Sequence, residues 1–318
     1  MKNDTDYVLL YRIAEAYYCQ GQTQDQIAKQ ENISRPHVSR LLTKARKCGI
    51  VTIHVEFPEY VRQHLLCEQL CDALKLRNVL LSPMPAQTDS RSISQTIAQT
   101  AADALPELLS DCRNIGIGWG YTVYKTSKLL PPVLSSKAQS FVPLVGITGE
   151  DSPYFQTNVI VNRFAEQFGG TSKFTSVPAI RESRIEMDGF ALEGYLRLQR
   201  QWEKLDAAVI GLGDCPGIGL TLLSVGNVEY RNLVEQSGAV GDILAHFFFR
   251  DGSLLDTSAH FQQSSLPPHS IRNIETVICI AGGSKKVDPL LAAAQNGFYN
   301  TLITDPQTAQ AMLDRLQP

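Results

Sequence analysis

From Val79 to the end of the chain, short apolar runs alternate with longer stretches of helical spacing, and this rhythm constrains the fold more than any other feature. The runs are VLL at 79–81, NIGIG at 114–118, AAVIGLG at 207–213, VICIAGG at 277–283 and NTLIT at 300–304, with 93–109 reading as a helix between the first two. Strands covered by helices on both faces are apolar throughout, whereas half-exposed strands alternate. The predicted class is therefore α/β, with a parallel sheet and helices on its faces. The 318 residues, 43% of them hydrophobic, suffice for a full core and for two or three domains.

The first 57 residues follow a different pattern. Tyr7, Leu10, Ile13, Ala14 and Tyr17 recur at helical spacing, and Gly21 ends that helix. Thr23 to Gln26 reads T-x-x-Q, a capping box that opens a second helix carrying Ile27 and Ala28 inward. Ser34 is the N-cap of a third, with Pro36 in its first turn and Val38, Leu41, Leu42 and Ala45 on its inner face until Gly49. Residues 50–57 (IVTIHVEF) alternate as a wing or edge strand, and Pro58 marks a boundary. Tyr60, Leu66, Leu70 and Leu74 predict a linker helix over 59–76. The expected division is a winged helix-turn-helix domain at 1–57 and a larger effector and oligomerisation domain at 58–318.

Charge separates these parts. The chain carries 29 basic and 32 acidic residues, a net charge of -3, so it is not a protein that coats nucleic acid through bulk charge. Residues 34–48 nevertheless hold Arg35, Arg40, Lys44, Arg46 and Lys47 and no acid. With Val38, Leu41 and Leu42 inward, Arg35, His37 and Arg40 are placed to read base edges in a major groove. Ser34, Ser39, Lys44, Arg46 and Lys47 are placed to contact phosphate. The solvated face of an ordinary three-helix bundle would look similar in isolation. The whole run SRPHVSRLLTKARKCGIV, behind two capped helices and a three-residue turn plugged by Ile33, resembles the DNA-binding domain of SorC/DeoR-type sugar-binding transcriptional regulators.

A second signal is NIGIGWGYT at 114–122, where Gly116, Gly118 and Gly120 follow a strand and precede a helix. Backbone amides there can close on an anion at a helix N-terminus, although a glycine turn that merely packs strand on helix reads the same way. GWGYT, then SGAVGDILAHFF at 237–248 and IAGGSKKVDPLLAAAQNGFYNTLITD at 280–305, resemble in order the sugar-binding domain of the same regulators. The resemblance implies a fold related to sugar-phosphate isomerases and deaminases, with a phosphorylated sugar or polyol as effector. By that resemblance Gly118, Trp119, Gly120, Tyr121 and Thr122 form the phosphate-side loop, Asp242 accepts from sugar hydroxyls, and Lys286, with Lys285 beside it, supplies positive charge. Trp119 reads equally as core. Thr148 and Gly149, and Pro178 with Arg181, are further candidates for the pocket lining.

The resemblance implies a dimer or tetramer on a palindromic operator as the other partner. It leaves two rival readings, an isomerase- or deaminase-like enzyme and a regulator whose second domain only oligomerises. Deaminases of that fold carry an Asp-Gly-His element, whereas Gly211 to Gly217 here reads GLGDCPG, with an aspartate and no histidine; His246, His260 and His269 lie elsewhere. No catalytic residue, cofactor or metal is therefore expected. His64, Cys67 and Cys71 share a helix face, but two thiols and one imidazole without a fourth ligand read as packing. The seven dispersed cysteines form no C-x-x-C pair, and the first residues show no leader or spanning segment, so a reduced, cytoplasmic setting is expected.

Overall fold

The computed structural model describes residues 2–53, 58–84, 87, 89–133, 137–148, 153–215 and 228–316. They form two compact units, 1–58 and 59–318. No described helix is long and apolar enough to cross a membrane.

The first unit consists of α1 (Lys2–Tyr18), α2 (Gln24–Gln30) and α3 (Arg35–Lys47). Its core joins Leu10, Ile13 and Ala14 to Ile27, Ala28, Val38, Leu42 and Ala45. The capping box forms as expected, with Gln26 N–H donating to Thr23 Oγ1 and Thr23 N–H to Gln26 Oε1. Ser34 occupies the N-cap position of α3, but its hydroxyl makes no capping bond. Tyr7 departs from the expected stripe and is 50% exposed. It shares the face of Leu10, yet among the described side chains the apolar clusters of this unit take in α1 only from Leu9 and Leu10 onward. The expected strand is not formed at 50–53, and 54–57 lie outside the described residues. Ile50 and Val51 N–H instead donate to Ala45 O and their side chains pack at the end of α3, which removes them from any strand ladder.

In the second unit α4 (Glu59–Leu74) buries Leu66, Leu70 and Leu74, whereas Tyr60, at its exposed start, is 74% accessible. The central sheet has seven strands: β1 (Asn78–Leu81), β2 (Asn114–Ile117), β3 (Ser140–Pro143), β4 (Thr171–Ser172), β6 (Ala207–Ile210), β11 (Thr276–Ile280) and β12 (Thr301–Thr304). Their order is β1-β12-β11-β6-β2-β3-β4, parallel throughout. Alternation sends Ile115, Ile117, Ala207 and Val209 into one apolar layer and Ala208 and Ile210 into the other. The first layer packs on α5 (Ser90–Leu108), α6 (Tyr121–Leu129) and α7 (Thr157–Gln167). The second packs on α4, α8 (Gly189–Trp202), α11 (Val287–Gln295) and α12 (Pro306–Leu316). Two further helices, α9 (Val228–Ser237) and the short α10 (Pro268–Ile271), lie in the connections. A three-stranded antiparallel ribbon, β7 (Gly213–Asp214), β8 (Gly241–Ile243) and β9 (His246–Phe248), stands beyond β6 in the chain. A smaller ribbon pairs β5 (Ile180–Glu182) with β10 (Phe261–Gln263).

Candidate functional site

In the first unit, burial of Val38, Leu42 and Ala45 turns the opposite face of α3 outward. Ser34, Arg35, His37, Ser39, Arg40, Lys44, Arg46 and Lys47 are all exposed. Arg35 Nε lies 3.8 Å from Asp25 Oδ1 with both side chains about two-thirds exposed, a contact too solvated to hold the guanidinium. Among the described residues Arg40 Nε reaches only the Pro36 carbonyl one turn back, at 3.4 Å. In the first turn of α3 Pro36 has no N–H and the His37 and Val38 amides donate to Ser34 O, so contact with phosphate falls to the exposed side chains.

In the second unit the chain runs outward from β2 to β3 and β4, returns at β6, and then runs the opposite way to β11 and β12. The reversal between β2 and β6 is a topological switch point, where the loops leaving two adjacent carboxyl ends part and open a crevice. The loop at 118–120 leaves β2 and the loop at 211–213 leaves β6, so the two glycine-rich segments flank that crevice.

The glycines of the first loop are partly committed to the fold. Gly118 N–H donates to Val209 O at 2.8 Å and Gly120 N–H to Tyr154 O at 3.0 Å. Gly120 has φ +113°, a conformation that only glycine adopts cheaply, and it starts α6 without a side-chain cap or an acid in the first turn. The amides left for an anion are thus those of Tyr121 and Thr122, not those of the glycines. Trp119 is 5% exposed and packs in the core layer, so its ring is no open platform. Tyr121 lies edge-on to Tyr154, and Lys125 Nζ lies over the Tyr121 ring.

On the second loop, Gly213 pairs with Asp242 across β7 and β8, and any side-chain carbon at 213 would overlap the Asp242 carboxylate. That carboxylate is 8% exposed. Burial raises its pKa to about 6; Asp214 adds to the rise, while Lys286 and the Ala245 N–H oppose it. Lys286 Nζ sits 2.6 Å from Asp214 Oδ1, both side chains about one-fifth exposed. Lys286 thus stands between two carboxylates, and Asp214 is a member of the site that sequence reasoning quoted only as the remnant of an enzyme motif. Lys285 points to solvent. Two further residues were missed altogether. The Gly283 N–H donates to both Asp305 Oδ2 and Thr308 Oγ1, at 3.0 and 2.7 Å, from the turn that leads to Lys286.

The softer candidates fall less centrally. Thr148 Oγ1 is buried and unpartnered among the described residues, and Gly149 lies outside them. Pro178 is exposed, and Arg181 is held in the β5–β10 ribbon by Ile185 O and Gln262. His246 pairs with Ile243, the residue after Asp242, so alternation sends imidazole and carboxylate to opposite faces of the ribbon. Its Nε2 lies 2.9 Å from Ser265 Oγ, and burial lowers its pKa to about 4. Pro216 and Gly217 of the GLGDCPG run lie outside the described residues. His64 is 3.2 Å from Glu68, while Cys67 and Cys71 pack against the second apolar layer. A cavity of about 530 Å³ opens at the amino ends of β11 and β12, among Leu74, Arg272 and Tyr299, away from all these loops.

Comparison with known proteins agrees with this architecture. The family model described as "Putative sugar-binding domain" matches residues 59–314. The chain is 27% identical to the sorbitol operon regulator of Klebsiella pneumoniae over 98% of its own length and all of that protein. It is 28% identical to the deoxyribonucleoside regulator of Bacillus subtilis, covering 95% of this chain and 96% of the relative. The crystal structure of the full-length Klebsiella regulator superimposes with a TM-score of 0.71 at 26% identity, covering 98% of this chain and 100% of the other. A DeoR family regulator from Listeria monocytogenes shares the fold over 79% of this chain and 99% of its own, with a TM-score of 0.68 at 20% identity. Matched along nearly its whole length in sequence and in fold, the chain belongs to the SorC/DeoR-type family of sugar-binding transcriptional regulators.

Proposed function

We propose that this protein is a DNA-binding regulator of a carbohydrate-utilisation operon, released from or recruited to its operator by a phosphorylated sugar or polyol bound at the switch point of the sheet. The observation that carries the reading is the meeting there of two chemically different ends. The start of α6 offers the Tyr121 and Thr122 amides, the Thr122 hydroxyl and nearby Lys125, and has no acid in its first turn. It suits the phosphate. The other end offers Asp242, a buried carboxylate with acceptor positions to spare, which suits sugar hydroxyls. Lys286 balances Asp214 and Asp242 there. Thr148, whose buried hydroxyl has no partner among the described residues, is a further candidate for the lining.

Residues 1–57 are the DNA-binding domain in this reading, and 58–318 bind effector and assemble a dimer or tetramer in the cytoplasm, with α4 as linker helix. Arg35, His37 and Arg40 read bases while Ser34, Ser39, Lys44, Arg46 and Lys47 hold phosphates. Two recognition helices from paired subunits then meet half-sites spaced by whole helical turns. Catalysis is disfavoured, because general acid and base chemistry wants its groups in one cleft, and His246 and Asp242 face apart.

The test is binding to DNA upstream of the protein's own gene and of neighbouring operons at fixed salt, with a panel of sugar and polyol phosphates and their unphosphorylated forms. Specific binding altered by one phosphorylated compound is the expected result. No preference over random DNA under any ligand would sink the reading, and turnover of a sugar phosphate would revive the enzyme.

A further inference from the structure

The geometry points to Asp305 and Thr308 as a positioning pair for the effector site, fixing from the end of β12 the glycine turn that presents Lys286. The inference rests on the proposed reading only in taking Lys286 as part of that site.

Asp305 is the first residue after β12, and one of its carboxylate oxygens does ordinary work: Oδ1 accepts from Thr308 N–H at 2.9 Å, capping the start of α12. The other oxygen reaches across to the neighbouring strand's loop. Oδ2 accepts from Thr308 Oγ1 at 2.5 Å and from Gly283 N–H at 3.0 Å, and Gly283 N–H is shared with Thr308 Oγ1 at 2.7 Å. Asp305 and Thr308 are 2% and 1% exposed, so water does not compete for these bonds.

The turn itself is tailored to the pair. A side-chain carbon at Gly282 would overlap Asp305 Oδ2 and Ile97, which explains the first glycine, and Gly283 has φ +101°, which explains the second. From Gly283 the constraint passes directly onward, because Lys286 N–H donates to Gly283 O at 2.8 Å. Lys286 therefore hangs from a loop clamped to β12, and only its flexible stem is left to settle against Asp214. The Gly283 amide is consumed and not left for an anion; what the turn delivers to the site is the ammonium.

Thr308→Val is nearly isosteric and keeps the Asp305 cap on α12 while deleting the hydroxyl; Thr308→Ser restores it. The first readout is ligand-free. In the full-length protein the Asp242 carboxyl is titrated by carbon-detected NMR, since Lys286 holds its midpoint down. Thr308→Val is expected to raise that midpoint, and Thr308→Ser to leave it at the wild-type value. The second readout is thermal stabilisation by D-glucitol 6-phosphate and D-fructose 6-phosphate, with binding to upstream DNA measured in parallel. Whichever compound stabilises the wild type is expected to bind Thr308→Val at least fivefold more weakly and Thr308→Ser within twofold, with DNA affinity unchanged in both. An unmoved Asp242 midpoint in folded Thr308→Val overturns the positioning pair. Failure of both compounds to stabilise even the wild type counts instead against the choice of effector, and leaves the titration to decide the pair.

Discussion

The Asp242 carboxylate shows how much stability a single buried charge costs. Its pKa stands at about 6 against an ordinary 3.8, so the folded protein binds a proton more tightly than the unfolded chain, and stability falls as pH rises from about 4 to 6. By pH 7 the loss is roughly 3 kcal/mol. Asp242→Asn keeps the acceptor for Ala245 N–H and removes the charge. It is expected to melt at higher temperature than the wild type at pH 7, to lose that advantage near pH 4, and to abolish the response to any sugar phosphate; calorimetry at the two pH values checks the first two. On the DNA side the comparable candidate is Arg40, which among the described residues bonds only within its own helix turn. Arg40→Ala is expected to weaken operator binding by about 1 to 3 kcal/mol without changing effector-induced stabilisation, as read by titration at constant salt. Sequence alone named both residues as candidates. It did not reach Asp214, because nothing near position 214 announces a partner at 286, nor the exposure of Tyr7, because periodicity tells which face a residue is on but not how far the neighbouring helices extend.

Among the elements, those whose pattern is set by burial were legible. The strands at 114–117, 207–210 and 276–280 are covered on both faces and read as unbroken apolar runs, and α5 reads at a period of 3.6. β4 and β7, two residues each, were not, since two residues have no period. The β7–β9 ribbon was invisible for a deeper reason: its pairing depends on a close approach of Asp242 to Gly213, a tertiary fact. At 50–53, within the wing expected over 50–57, the opposite happens: alternation signals a strand but Ile50 and Val51 find their hydrogen bonds on α3. Caps, by contrast, are local, and the box at Thr23 and Gln26 was correctly read. Thr23→Ala deletes the Gln26 N–H acceptor and is expected to cost about 1 kcal/mol of stability in the first unit. Helix-resolved hydrogen exchange measures it, and faster exchange should be confined to 2–53.

At the scale of the whole molecule, two buried groups titrate against each other. Asp242 makes the fold more stable as pH falls from 6 to 4. His246, neutral in the fold with a pKa near 4 against an ordinary 6.5, makes it less stable as pH falls through 6.5 to 4, because the unfolded chain takes up the proton first. The two contributions are each about 3 kcal/mol and opposite in sign, so they nearly cancel. His246→Gln removes one of them. Its stability relative to the wild type is expected to rise by about 3 kcal/mol between pH 7 and 4, and a difference that stays flat would show that the imidazole is not buried as described. The packing of Gly213 against Asp242 carries a consequence for heredity rather than for energetics. Every missense change at codon 213 adds at least one carbon where the carboxylate must lie, so the codon tolerates no replacement without disturbing the proposed acceptor of the sugar. In a selection for alleles that bind the operator but no longer respond to the effector, codon 213 should be hit as often as codon 242, although glycine offers no side chain to a ligand.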